Sequence, residues 1–257
     1  MLLFRRSAST NRLIPPNELN RMVGGQTLDD FVSVGEHFRK IFIEIGGLRP
    51  TDRVLDVGCG CGRMAIPLTS YLTMGSYEGF DIMPEGIDWC RRNITKRFPA
   101  FRFQHANVRN SRYNPNGKKK ARDFDFPYAD GSFDFTLLTS VFTHMLQEDL
   151  EHYVGEIVRT LKPSGTAVIT FFILNAESER LIETPATTIR LPFPHGSSGI
   201  RVSDEAPLEN AVAYPEHLVR SIFADSGFIV QEPIHFGAWC GREGTVSYQD
   251  VVVSKKR

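Results

Sequence analysis

The stretch Val54-Leu55-Asp56-Val57-Gly58-Cys59-Gly60-Cys61-Gly62-Arg63-Met64 constrains this chain more than any other. An apolar run ends in an acid, three glycines alternate, and Met64, Ala65, Ile66 and Leu68 then follow helical spacing. The pattern spells strand, tight turn, helix. Glycine lacks a Cβ, so it can take positive φ and let a ligand press against the backbone. The helix start offers free N–H groups, which suit a negative group. A nucleotide-type cofactor fits such a turn. In dinucleotide folds a pyrophosphate lies over G-x-G-x-x-G. Here the spacing is G-x-G-x-G, and Asp56 stands two residues before Gly58. A carboxylate there opposes a pyrophosphate and favours a cation.

S-adenosylmethionine has the required charges: an ammonium, a sulfonium and a single carboxylate. The stretch resembles the acid-x-G-x-G-x-G motif of the class I S-adenosylmethionine-dependent methyltransferases. That resemblance implies a cofactor cradle at Gly58, Cys59, Gly60 and Gly62. Asp56 then faces the positive end of the cofactor, directly or through water.

The chain has 257 residues, 41% hydrophobic and 23% charged, enough for one large α/β domain. Formal net charge is zero, so no global basic field favours nucleic acid. No apolar run approaches the length of a membrane span. Met1-Leu2-Leu3-Phe4-Arg5-Arg6 lacks the apolar centre of a secretory signal. A soluble, cytoplasmic protein is expected. Cys59, Cys61, Cys90 and Cys240 read as small reduced residues. No clustered carboxylates suggest a metal.

Residues 1–34 read as an N-terminal arm and lid. Phe31, Val34, Phe38, Ile41, Phe42 and Ile45 mark an amphipathic helix that Gly46-Gly47 stops. Arg21, Gly24 and Gly25 either line a lid over the cofactor or only make a turn. The second strand ends in Asp81, close to the roughly 20 residues after the glycines expected of a ribose acid. Dinucleotide binders place an acid here too, and Pro84 behind it also fits a plain helix cap. Ile82 and Met83 would flank the adenine. The third strand, Phe101–Val108, ends at Asn107, where the resembled family commonly has Asp for the adenine amino group. An amide carbonyl can still accept from that group. Val108 and Ser140 complete the implied cofactor set. Lys118-Lys119-Lys120 reads as a solvated loop or a basic edge for an acidic substrate.

The fourth strand, Phe133–Thr139, exits into Ser140-Val141-Phe142-Thr143-His144. Family members acting on base amines or glutamine amides carry Asn-Pro-Pro-Tyr or a near variant here, and this chain does not. His144 titrates near neutrality and is the candidate catalytic base, or else it orients the loop. Leu161-Lys162-Pro163-Ser164-Gly165 before the fifth strand again looks like the family. Residues 174–213 are proline-rich and read as an inserted, substrate-covering segment. Arg190, His195, Arg201 and Glu209 are its candidates for substrate contact. The loop His235–Arg242 offers Trp239 for stacking and Arg242 for an anionic or polyhydroxyl group. A core plug and a surface pair are the competing roles.

A single domain over 1–257 is expected. It is a doubly wound α/β fold whose seven strands, by the resemblance, run 3-2-1-4-5-7-6 with the last antiparallel. The resemblance covers roughly residues 35–173 and 214–254. It implies methyl transfer from S-adenosylmethionine to a small-molecule or glycan-like acceptor, with oxygen as first choice. Two alternatives stand beside it: a non-catalytic S-adenosylmethionine-binding protein and a dinucleotide-dependent oxidoreductase. Acceptor identity and assembly state are not legible in the residues.

Overall fold

The computed structural model describes residues 13–111, 113–184, 199–202 and 210–257. The chain enters through a short helix α1 (Asn17–Met22) and the longer α2 (Leu28–Lys40), which runs on as one π-type turn, Ile41–Ile45. Thr27 starts α2 with a reciprocal cap: Asp30 N–H donates to the Thr27 hydroxyl, and Thr27 N–H donates to the Asp30 carboxylate. Phe31 and Phe38 fall on its buried side, as their spacing predicts.

Strand β1 (Arg53–Val57) leads through the glycine turn into α3 (Ala65–Leu68). Then come β2 (Ser76–Asp81), α4 (Pro84–Cys90), β3 (Phe101–His105), β4 (Phe133–Leu138), α5 (Gln147–Thr160) and β5 (Leu161–Phe171). After these, β6 (Ile173–Leu174), α6 (Ala176–Ile182), β7 (Arg201–Val202) and β8 (Val212–Pro215) make a side structure. The chain closes with α7 (Glu216–Ser226), β9 (Phe228–His235) and β10 (Asp250–Lys256).

The main sheet has seven strands in the order β3-β2-β1-β4-β5-β10-β9. Counting its strands along the chain, this is the expected 3-2-1-4-5-7-6. β1 pairs in parallel with both β2 and β4, while β10 runs antiparallel to β5 and β9. Side chains alternate across β1, so the two faces of the sheet own separate cores. Val54, Tyr77, Phe101 and Phe135 pack with Phe42, Leu68 and Ile87 on one side. Leu55, Val57, Phe133 and Ile169 pack with Ile157 and Phe223 on the other. Each such side chain contributes about 1.5–3 kcal/mol by burial. Helices on both faces are what a parallel, doubly apolar sheet requires.

The described parts of segment 174–213 contain regular elements. Asn175 caps α6, and β6, β8 and β7 form a second sheet in the order β6-β8-β7. Its Tyr214 hydroxyl donates to Met145 O at 2.6 Å, bracing the exit of β4 from behind. Among the described residues, no helix is long and apolar enough to cross a membrane.

Candidate active site

A cavity of about 760 Å³ opens where β1, β2 and β4 end, at the order reversal of the sheet. Ligands of open α/β sheets gather at such a place. The glycine turn forms its floor. Gly58 has φ 82° and Gly60 φ 56°, both in the left-handed region. Gly58 N–H and Cys59 N–H both donate to Phe80 O, at 2.9 and 3.1 Å, tying the turn to β2. A Cβ on Gly58 would lie 2.3 Å from Val141 Cγ2, and one on Gly60 2.6 Å from Val23 Cγ1. Gly62 lies off the cavity, where a Cβ would meet Ile94 and Cys90 instead.

Asp81 is the polar centre of the wall. Gly60 N–H donates to its Oδ2 at 2.7 Å and Met83 N–H to its Oδ1 at 2.8 Å. The carboxylate is buried yet borders the cavity. Burial raises its pKa, and the bonds from Met83, Gly60 and Ile82 oppose that rise. Each oxygen keeps lone-pair capacity beyond these bonds.

Asp56 departs from the expectation of an anion facing the ligand. It is fully buried and does not border the cavity. The Tyr77 hydroxyl donates to its Oδ2, while Oδ1 has no hydrogen-bond partner. Burial pushes its carboxyl up to about 8, against the Tyr77 bond and the Arg63 charge. Asp56 is therefore a neutral acid behind the turn at pH 7, and a cation brought close would pull its pKa back down. The unfolded chain loses this proton near 3.8 and the folded chain near 8, so the folded state binds more protons between those values. Stability falls as pH rises through that window. Thermal unfolding from about pH 4 to pH 9 should show the decline, and Asp56→Asn should flatten it.

Cys59, Ile82, Met83, Val108, Ser140 and His144 all border the cavity as anticipated. Ser140 has φ 57°, uncommon for a residue with a Cβ. Its N–H donates to Thr170 Oγ1 at 2.8 Å, and its hydroxyl donates to Gln249 Oε1 at 2.9 Å. These bonds hold the exit of β4 in one shape. His144 ends the short 3₁₀ turn Phe142–His144, with the Tyr113 ring edge-on at 6.3 Å between centroids.

Four further sequence candidates stand elsewhere. Asn107 is exposed and outside the cavity, its Oδ1 accepting from Lys118 N–H at 3.3 Å. The chain bends after β3, so Val108 and Asn110 reach the cavity instead. Trp239 is a core plug: it is 1% exposed and donates Nε1–H to Asp250 Oδ2 at 2.7 Å. Arg242 donates to Glu177 Oε2 and Gly237 O, both at 2.8 Å, and stacks on Phe236. Neither borders the cavity, because the buried Asp250 draws their loop inward. It also accepts from Gly237 N–H and Ile173 N–H. Arg201 pairs with Glu179, also off the cavity. Arg190, His195 and Glu209 lie outside the described residues. No described residue of 174–213 lines the cavity.

Among the described residues, the cover comes from other parts of the chain. Met22, Val23 and Gly24 reach over the glycine turn, and Tyr113 with Lys120 comes from the loop after β3. Of the anticipated lid residues, Gly24 lines the cavity and Arg21 and Gly25 do not. Arg63 also borders it, and its buried Nε has no hydrogen-bond partner. Its place just after the third glycine was the available sequence signal. Among the described residues, no group of three or more His, Cys, Asp or Glu side chains is arranged to hold a metal.

Residues 55–169 match a family model described as a methyltransferase domain. Over that segment, a little under half of the chain, the sequence is similar to methyltransferases. The donor that this family uses is S-adenosylmethionine. The chain is 28% identical over 156 residues to phthiotriol/phenolphthiotriol dimycocerosates methyltransferase 1 of Mycobacterium ulcerans, covering 61% of this chain and 49% of that protein. It is 25% identical over 150 residues to 2-phytyl-1,4-naphtoquinone methyltransferase of Nostoc, covering 56% and 58%. The matched segment thus spans about half the length of these relatives. In fold, the chain is similar to magnesium protoporphyrin IX methyltransferase of Synechocystis, solved with bound S-adenosylhomocysteine. The TM-score is 0.56 at 15% identity, covering 94% of each chain.

Proposed function

We propose that this chain transfers the methyl group of S-adenosylmethionine to a small molecule. The observation that carries the reading is Asp81, a buried carboxylate fixed by two backbone N–H groups on the wall of a cavity floored by the glycine turn. The residues present fit that donor. Asp81 would take the ribose hydroxyls, each charge-assisted bond contributing about 1.5–3 kcal/mol. Met83, Ile82 and Val108 would flank the adenine. The unpartnered Arg63 Nε would take the carboxylate, with Asp56 close behind for the ammonium. When bound, S-adenosylmethionine supplies an electrophilic methyl group on a positively charged sulfur.

Cavities of about 300–1,000 Å³ hold drug-sized ligands. At about 760 Å³ this one must hold donor and acceptor together, which favours a small acceptor or one residue of a glycan. The relatives and neighbour named above act, by their names, on a lipid, a quinone and a porphyrin. Oxygen is our choice of acceptor atom. The His144 ring would take the hydroxyl proton while that oxygen bonds to the methyl carbon. Val141, Ser140 and the cover residues would align the acceptor and exclude water, which is much of what such a transfer needs.

Incubation with S-adenosylmethionine and a small-molecule pool should yield S-adenosylhomocysteine and a methylated product. Cofactor binding without any product would make the chain a non-catalytic binder. Loss of the His144 ring by His144→Ala should lower turnover about 10²-fold while S-adenosylhomocysteine affinity stays within about twofold. Wild-type turnover at every pH would remove His144 as the base.

A further inference from the structure

The loop of residues 109–122 brings a charge to the cavity mouth that methyl transfer itself does not use. This loop folds back on the end of β3. Arg109 N–H donates to Lys119 O at 2.7 Å, and Lys118 N–H donates to Asn107 O at 3.1 Å. Gly117 sits so close that a Cβ there would lie 2.4 Å from Arg109 N. This closure sets Lys119 in a bridge with Val108, so Arg109 and Lys120 emerge as neighbours. Both are exposed and both border the cavity. Among the described residues, neither side chain has a hydrogen-bond or ion-pair partner.

Of the other charges around the cavity, Arg122 and Asp81 are engaged. Arg122 pairs with Glu148, and its N–H donates to Asp149 Oδ1 at 2.9 Å. Asp81 is occupied by Gly60 and Met83. Arg63 lies at the glycine turn, beside Asp56. Two unpaired like charges held together at the mouth of a cleft repel one another and focus a positive field into it. An anion with two or more oxygens relieves that repulsion through charge-assisted bonds. The same loop carries Tyr113 to His144, at the exit of β4. The cations therefore sit on the element that carries Tyr113 to His144, and Val141 and Met145 add apolar lining to the same cavity.

We propose that the methyl acceptor is a small amphipathic anion whose carboxylate or phosphate-type group is read by Arg109 and Lys120. The proposal rests on the methyl-transfer reading and adds the acceptor's charge to it.

The test separates the two. A small-molecule extract of the native source is split on an anion-exchange resin before labelling. Each fraction is then incubated with the protein and methyl-tritiated S-adenosylmethionine. Label is expected in the retained, anionic fraction. The double variant Arg109→Glu/Lys120→Glu should lower that labelling at least tenfold, with S-adenosylhomocysteine affinity within twofold of wild type. Label confined to the unretained fraction would overturn the anionic acceptor and leave methyl transfer standing. So would undiminished labelling by the double variant. A parallel fall in S-adenosylhomocysteine affinity would also overturn it, since the cations would then serve the cofactor. Label in no fraction, from protein that binds S-adenosylhomocysteine, would sink methyl transfer and this proposal together.

Discussion

Replacing Asp81 by alanine is expected to weaken S-adenosylhomocysteine binding at least tenfold. Both carboxylate oxygens already hold backbone N–H groups, from Gly60 and Met83, so the group is pre-oriented before any ligand arrives. A single lost ribose bond of about 1.4 kcal/mol is a tenfold change, and a diol makes two. The same substitution orphans two buried N–H groups, at roughly 1–3 kcal/mol each. Stability and affinity must therefore be read separately, by thermal unfolding without ligand and by calorimetry with it. Asp81→Asn keeps the shape but turns an NH₂ group against one of the two backbone donors, so it should fall between. A lowered melting temperature with unchanged affinity would reduce Asp81 to a cap that joins the turn to α4.

Gly58→Ala should be nearly as damaging, for a different reason. The new Cβ would stand 2.3 Å from Val141 Cγ2, and φ is 82°. The left-handed backbone alone costs roughly 1–2 kcal/mol for a residue with a side chain. Val141 is β-branched and stiff, so it yields only by moving the exit of β4. That exit carries Ser140 and His144, so cofactor affinity and turnover should fall together. Adding Val141→Ala removes the clash but not the backbone cost. The double variant should recover part of the stability. Full recovery of stability would show that φ at this turn is under no strain, and no recovery would place the damage elsewhere than Val141.

Much of the architecture was legible because it is local. Alternating glycines after an apolar run, helical spacing in α2 and the acid at the end of β2 are relations between near neighbours. Together they implied the strand order through a known resemblance, and the sheet has that order. The side chains proved harder to place. Asn107 lies just past β3, which stops at His105, and its amide turns out to Lys118. Trp239 and Arg242 look like a binding tip when only their loop is considered. The acid that draws them inward, Asp250, opens the next strand, and a pairing across that loop carries no periodic signal. Asp56 was read with its solution charge, and burial changed that charge. Lys120 looked like one lysine in a solvated run until a fold-back beside Arg109 put it on the cavity.

The residues in order thus decided the strands, the helices, the glycine turn and the acid that follows the second strand. Propensity, period and turn geometry act over a few positions, and those are written in the chain itself. Only the packed molecule decided which polar groups meet the cavity, which acid loses its charge, and which loop supplies the cover. Those outcomes depend on desolvation and on partners far apart in the chain, and both exist only after the two faces of the sheet have closed.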